Sequence, residues 1–247
     1  STTCLQVIQI QDITAPVIAC PDNMIINCEV PATPANTGTA TATDNCNTEV
    51  SITSEDVTTP GNCPDNRTIS RTWTATDNCN NSSSCVQIIE IQDVTVPVLV
   101  LPADITVNCN ESTLPANTGA ATATDNCDTA PVIDFIDDTT DGDCPQEMII
   151  TRRWIAVDNC LNATASIQII TVQDNVPPAI TCPADLTVDC DDDKSPTATG
   201  TATALDNCDT NPDITFGDVN TPGDCPQEYT ITRTWTAVDD CGNPRTH

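Results

Sequence analysis

Trp73-Thr74-Ala75-Thr76-Asp77-Asn78-Cys79 returns as Trp154-Ile155-Ala156-Val157-Asp158-Asn159-Cys160, and again as Trp235-Thr236-Ala237-Val238-Asp239-Asp240-Cys241. The copies stand 81 residues apart (154 − 73 and 235 − 154). Cys28, Cys109 and Cys190 keep the same step, as do Cys46, Cys127 and Cys208, and Cys63, Cys144 and Cys225. A fixed period of this length, with no insertion, marks one small domain repeated in tandem.

Working outward from the tryptophan, apolar and β-branched residues alternate, and Pro, Gly, Asn and Asp clusters interrupt them at short intervals. No segment sustains a 3.6-residue apolar period. This predicts an all-β fold of sandwich type. In the first full repeat, strands are expected at Val17–Cys20 and Met24–Cys28 (one strand, split), Thr37–Thr43, Val50–Ser54, Thr68–Thr76 and Val86–Gln92. Along the last of these Val86, Ile88, Ile89 and Ile91 change phase, which implies a bulge or burial of both faces. Repeats meet at Asp12–Pro16, Asp93–Pro97 and Asp174–Pro178. The expected domains are therefore 15–96, 97–177 and 178–247, with 1–14 as the last strand of a preceding or neighbouring chain's domain. The third domain then lacks its own last strand. The short linkers, each ending in Pro, predict a rod whose members do not swing freely.

The 247 residues include 16 Cys, and aromatic residues make up only 2%. Domains of about 80 residues with so little aromatic bulk usually need staples. No two cysteines form a Cys-x-x-Cys pair, so zinc ribbons and thioredoxin-like sites are excluded in favour of a disulfide framework in an oxidising compartment. With 36 acidic against 7 basic residues the net charge is −29, which argues against nucleic acid and anionic membranes and for cations as partners. No apolar run approaches a membrane span of roughly 20 residues. The single His and single Tyr, His247 and Tyr229, assemble no nucleophile–base constellation, and no Gly-rich phosphate loop is present. The chain reads as non-enzymatic.

A Trp-x-Ala-x-Asp-x-Cys strand, an apolar last strand ending in Asp, a Pro linker and a following Cys-Pro together resemble the hyalin-repeat family. The Cys-rich variety is similar to tandem repeats of large bacterial surface adhesins. The resemblance spans essentially the whole chain. Trp stands where the family usually has Tyr, and Gly-Asn after the motif survives only at Gly242-Asn243. The resemblance implies tandem immunoglobulin-like sandwiches in an extracellular, adhesive or structural protein, although fold alone does not fix function.

The repeats constrain cysteine pairing. Cys20 is matched by Leu101 and Cys182, and Cys85 by Ser166 and His247, so both positions are lost together in the middle repeat. That predicts Cys20–Cys85. In an immunoglobulin-like sandwich the loops carrying Cys46 and Cys79 share the pole where the chain enters, which predicts Cys46–Cys79, with Cys28–Cys63 at the opposite pole. By translation Cys127–Cys160, Cys109–Cys144, Cys208–Cys241 and Cys190–Cys225 follow, leaving Cys4 and Cys182 to join successive chains. Other connectivities of the same cysteines remain open.

The entry pole also gathers acids. Asp44 and Asp77 lie in its two loops, Asp12 arrives on the linker, and Asn45 and Asn78 add carbonyls. Asp93, Asp125, Asn126, Asp158 and Asn159 form the next set, then Asp174, Asp206, Asn207 and Asp239. Carboxylates converging in this way call for a hard cation, and calcium takes 6–8 oxygen ligands. The logic is similar to that of cadherins, where calcium between domains stiffens the array. The competing reading has these Asp residues holding loops as Asx-turns. Asp56, Asp137 and Asp218 recur outside this cluster and read as turn residues. Arg71, Arg152 and Arg233 recur two residues before the Trp, where an ion pair or a cation–π contact is expected.

Sequons occur at Asn66, Asn80, Asn81, Asn110 and Asn162, and the Asp-Thr pairs at Thr129 and Thr139 resemble bacterial O-glycan acceptors. Two function classes emerge. One is an extracellular fibre segment, rigidified by calcium and joined head to tail, either to copies of itself by strand complementation or to flanking repeats of one long chain. The other is a module that binds glycan or ice through the threonine faces of its strands.

Overall fold

A computed structural model describes residues 3–46 and 49–247. The chain is all-β and sandwich-like, with 46% strand and 5% helix, so its far-ultraviolet circular dichroism should be that of a β protein.

In the first repeat the strands are β1 (Val17–Ala19), β2 (Met24–Asn27), β3 (Thr41–Thr43), β4 (Ser51–Pro60), β5 (Arg67–Thr76) and β6 (Ser82–Gln92). One sheet has the order β2-β6-β5-β4 and the other pairs β1 with β3. The first strand is split, as expected. Its first half runs antiparallel to β3, and its second half runs parallel to β6 with Met24 opposite Ile89. Cys20 and Pro21 occupy the crossing between the two halves.

A one-turn helix, α1 (Pro34–Thr37), replaces the expected start of the third strand. Pro34 opens it, where a missing N–H costs nothing. Gly38 closes it with φ +90°, and a Cβ there would lie 2.9 Å from Pro21 Cβ. Gly119 repeats this geometry at φ +91°, only 2.5 Å from Pro102 Cβ. Gly119→Ala is therefore expected to cost about 1–3 kcal/mol, read as a lower denaturant midpoint.

The second repeat contains β7 (Val98–Val100), β8 (Ile105–Asn108), α2 (Pro115–Thr118), β9 (Thr122–Thr124), β10 (Val132–Asp141), β11 (Met148–Val157) and β12 (Ala163–Gln173). Its sheets are β10-β11-β12-β8 and β7-β9. The third has β13 (Ala179–Thr181), α3 (Pro196–Thr199), β14 (Thr203–Leu205), β15 (Asp213–Pro222), β16 (Tyr229–Val238) and β17 (Pro244–Thr246), with sheets β15-β16-β17 and β13-β14.

By contact the chain forms two compact units. One is Ser1–Leu99 with Ala123–Ile133 and Ile155–Thr164; the other is Val100–Thr122 with Asp134–Trp154 and Ala165–His247. The first packs its core around Ile26, Ile69, Ile89 and Ile91, and the second around Val107, Ile150, Ile170 and Val172.

Of the bulge or two-sided burial expected in β6, neither occurs: Val86 and Glu90 on its outer face are exposed. Its register against β5 is unbroken from Arg67↔Ile91 to Thr76↔Ser82. Gln87, Ile89 and Ile91 all point inward, so the polarity of Gln87 disguised a regular alternation. Gln87 is fully buried because its amide is fully used. It accepts from Trp73 Nε1 at 3.4 Å and donates to the carbonyls of Asp22 and Thr37 at 3.0 and 2.6 Å. Gln168 does the same beneath Trp154.

Asp56, Asp137 and Asp218 are strand residues, not turn residues. Asp56 faces Arg71 across the β4–β5 ladder. Arg71 Nε and Nη2 donate to its two oxygens at 2.7 and 2.8 Å, while Nη1 reaches Thr37 Oγ1 and Nη2 reaches Ala32 O. Its guanidinium also lies 5.8 Å from the Trp73 ring centre. The recurrent arginine thus ties helical turn, sheet and tryptophan together.

Two apolar stretches lack this cover. Leu5, Val7, Ile8 and Ile10 form no strand, with Ile8 74% and Ile10 91% exposed. In the third repeat residues 186–189 form no strand, and Val188 is 38% exposed where its equivalents Ile26 and Val107 are 9% and 4% exposed.

Candidate metal centre at the repeat joints

Each joint starts with a short linker whose Asp is seated by an asparagine of the next repeat. Asn81 Nδ2 donates to Asp12 O at 3.2 Å, Asn162 Nδ2 to Asp93 O at 3.2 Å, and Asn243 Nδ2 to Asp174 O at 2.9 Å. These asparagines recur at the 81-residue step. Their role was missed because Asn81 and Asn162 also read as sequons.

The disulfides differ from the expected set. Cys20–Cys85 forms, tying the split first strand to β6. The others cross the period: Cys28–Cys127, Cys63–Cys160, Cys109–Cys208 and Cys144–Cys241. The expected Cys28–Cys63, Cys109–Cys144, Cys127–Cys160 and Cys208–Cys241 bonds are therefore replaced. Cys46, Cys79, Cys190 and Cys225 are free, so Cys46–Cys79 and Cys190–Cys225 do not form; Cys4 and Cys182 are free as well. The physical reason is the short linker. In the first unit it brings the exit loops of one repeat against loops 123–133 and 155–164 of the next, with Cα–Cα distances of 6.0 and 5.1 Å across the two bonds. Pairs of this type contribute about 2–4 kcal/mol each.

Between the two period-crossing disulfides of the first unit sits Asp93, only 4% exposed. Its Oδ1 accepts from Thr95 N at 3.1 Å, while its Oδ2 is buried and has no hydrogen-bond partner. Asp125 repeats the pattern: Oδ1 accepts from the backbone of Cys127 and Asp128, each at 2.9 Å, and Oδ2 is buried without a partner. In the second unit Asp174, 3% exposed, and Asp206 do the same. Burial pushes the Asp93 carboxyl above the usual range, and Asp125, Asp158 and Asp65 push it further despite the Thr95 bond. Burial, then Asp206, Asp239 and Asp209, raise Asp174 in the same way against the Val176 N–H. A buried anion left in this state costs free energy unless a cation neutralises it.

The third carboxylate of each set has a different environment. Asp158 Oδ1 accepts from Cys160 N and Asn162 N, and Oδ2 accepts from Asn162 Nδ2, all at 2.8 Å. Asp77 is held alike, and Asp239 by Asn243 N and Nδ2. Burial raises the Asp77 carboxyl, but the Asn81 side chain and the backbone N–H groups of Asn81, Cys79 and Asn80 outweigh it and bring it below the usual range. These aspartates hold loops. Asn126 and Asn207 donate to Asn27 and Asn108 Oδ1, and Asn159 donates to Asp65 Oδ2 and Asp128 Oδ2. Asn45 donates to Cys46 Sγ, and Asn78 is exposed.

Asp65 was not read from the sequence because it does not recur: Gln146 and Gln227 take its place. It lies with Asp93 and Cys160 in a group whose atoms fall within 4.8 Å. The sulfurs there are in disulfides, so the donors open to a metal are oxygens, which suits a hard cation. At the first pole Asp12 Oδ1 accepts from Thr14 N and Asp44 Oδ1 from Cys46 N. Burial, then Asp12, Asp44, Cys79 and Asp77, push the Cys46 thiol up.

Among the sequons, Asn66, Asn81 and Asn162 spend their side-chain amides on internal bonds. Asn80, Asn110, Thr129 and Thr139 are exposed. No helix among the described residues is long and apolar enough to cross a membrane.

No family model matches the chain, and no curated protein does. Among solved structures it is similar to Drosophila N-cadherin EC1-4, at 13% identity over 66% of this chain and 50% of that one, with TM-score 0.32. It is also similar to protocadherin gamma B7 extracellular cadherin domains 1–4, at 12% identity over 94% of this chain and 74% of that one, with TM-score 0.33. For the human desmocollin-1 ectodomain the identity is 10% over 94% and 60%, with TM-score 0.29. The chain spans half the length of the N-cadherin fragment it matches. Identities this low say nothing of a shared ligand or partner.

Proposed function

We propose that this chain is a segment of an extracellular structural and adhesive fibre. It is built of immunoglobulin-like repeats of hyalin-repeat type, divided at 15–96, 97–177 and 178–247, that bind calcium at their joints. One observation carries the reading: at two successive joints, Asp93 with Asp125 and Asp174 with Asp206 each present a buried carboxylate oxygen without a partner, beside a disulfide that crosses the period. Calcium held by these oxygens would offset the cost of burying them ionised and fix the joint. The disulfides support an oxidising, extracellular setting, and the large acidic excess suits divalent counter-ions.

Assembly is head to tail. Residues 5–12 match the last strand of the first repeat position by position, Gln6 to Gln87, Ile8 to Ile89, Ile10 to Ile91 and Asp12 to Asp93. They add as a strand to the exposed third-repeat edge beside Val188. A second copy of the chain, or flanking repeats of one longer polypeptide, supplies that strand.

Calorimetric titration of the oxidised chain with calcium tests the reading. Binding is expected in wild type, with the Asp93→Ala and Asp174→Ala chains each losing the site at their own joint. Absence of a binding heat at millimolar calcium would leave the loop-holding role alone.

A further inference from the structure

We propose that the β-hairpins of successive repeats are joined tip to base into a nearly inextensible, tension-bearing spine. A pull on the chain then passes through disulfides and strands and bypasses the proline linkers. This role needs neither calcium nor head-to-tail assembly, since the load is carried inside one chain.

The hairpins are β4–β5, β10–β11 and β15–β16, one in each repeat. All six strands are ten residues long. Cys63 and Cys144 sit in the loops at the tips of the first two hairpins. Two backbone bonds close each tip. Gly61 N donates to Asn66 O at 2.8 Å, and Asn66 N to Cys63 O at 3.1 Å. Gly142 N donates to Glu147 O at 2.9 Å, and Glu147 N to Cys144 O at 3.0 Å. Cys160 and Cys241 follow the second strands of the second and third hairpins, at their open ends. The bonds Cys63–Cys160 and Cys144–Cys241 therefore run from the tip of one hairpin to the base of the next. The other leg of each base is held too. Cys127 and Cys208, which precede β10 and β15, are bonded to Cys28 and Cys109. These directly follow β2 and β8, which pair in parallel with β6 and β12.

By backbone, Cys63 and Cys241 are 178 residues apart (241 − 63). Through the spine they are separated by two disulfides and the 16-residue step from Cys160 back to Cys144 (160 − 144). Most of that step is β11, Met148–Val157. A strand already rises about 3.3 Å per residue, close to the roughly 3.3–3.6 Å of a fully extended chain, so the step has almost no slack. Both legs of the β10–β11 base are bonded to the first repeat and its tip to the third. Tension between these points stretches the two strands side by side instead of peeling one from the other. The linkers Asp93–Pro97 and Asp174–Pro178 are each bridged by two disulfides and stay off the taut path.

Single-molecule pulling of the full chain by its two ends, with chelator present so that calcium plays no part, tests the spine. The oxidised chain should come taut after the 28 residues up to Cys28, the 18 from Cys127 to Cys144 and the 7 from Cys241 onward. That is about a fifth of the length the reduced chain reaches. Cys144→Ser with Cys241→Ser should move the taut point outward, to the route through Cys109–Cys208 with its 28, 19 and 40 residues. A second variant severs a linker. Lys194 is the only lysine and Asn175 is an exposed linker residue, so Asn175→Lys with Lys194→Arg lets a lysine-specific protease cut that linker alone. The cut, oxidised chain should remain one covalent species, come taut at the same length as the uncut chain, and split into 1–175 and 176–247 only on reduction. Separation before reduction would overturn the proposal, as would an oxidised wild-type chain that extends as far as the reduced one.

Discussion

Arg152→Met is expected to destabilise the second repeat by about 3 kcal/mol, the low end of what removing one partner from a buried ion pair costs. Arg152 is fully buried and donates to Asp137 Oδ1 and Oδ2, Thr118 Oγ1 and Thr113 O, each at 2.8 or 2.9 Å. Its guanidinium lies 4.4 Å from the Phe135 ring centre and 5.8 Å from that of Trp154. Methionine restores volume but takes the Arg152 donor away from four acceptor atoms. Water can reach Asp137, whose side chain is partly exposed, which keeps the loss at the low end. Arg152→Lys should recover only part of it, because a point charge cannot serve both carboxylate oxygens and the two other acceptors together. Chemical denaturation of the oxidised chain measures both. The homologous pair in the first repeat adds a pH signature. Arg71 holds the Asp56 carboxyl below its usual range, chiefly through their hydrogen bonds. A depressed carboxyl contributes stability above its unfolded pKa, and that stability is lost as pH falls through the depressed value. Asp56→Asn should therefore flatten the acid limb of the stability profile.

Removing calcium should lower the melting temperature of the oxidised wild-type chain and leave that of an Asp93→Asn, Asp174→Asn double variant nearly unmoved. At a free calcium concentration a hundredfold above the dissociation constant, each site contributes about 2.7 kcal/mol. Without calcium the double variant is expected to be the more stable of the two, since its amides replace carboxylates that burial disfavours. That reversal distinguishes a metal site from loop-holding aspartates. For Asp77 or Asp158 the substitution should destabilise with or without calcium, because their oxygens already accept the N–H groups that close the loop.

The period, the alternation and the recurrent tryptophan made the repeated all-β sandwich legible before any coordinates. Three features were hidden for identifiable reasons. Gln87 is polar yet faces the core, because three partners satisfy its amide, so hydropathy alone broke the pattern of β6. Asp56 looks like a turn residue, yet it sits mid-strand opposite Arg71, and only the cross-strand register explains it. The cysteines are the most instructive. In a periodic chain a bond within one repeat and a bond from one repeat to the next recur at the same step, so recurrence cannot choose between them. Cys20–Cys85 was legible because both partners vanish together from the middle repeat. Cys28–Cys127 needed the spatial fact that one repeat's exit loops touch the next repeat's entry loops. The carboxylates divide in the same way. The sequence placed Asp93, Asp125 and Asp158 together, but only the hydrogen bonds separate the oxygens that are satisfied from those that are not.

The joint itself is tested most directly by peptide mapping of the oxidised chain without reduction. The account predicts peptides that link Cys28 to Cys127, Cys63 to Cys160, Cys109 to Cys208 and Cys144 to Cys241, every one of them crossing the period. Peptides linking Cys28 to Cys63 and Cys127 to Cys160 would instead confine each bond to its own repeat and contradict it.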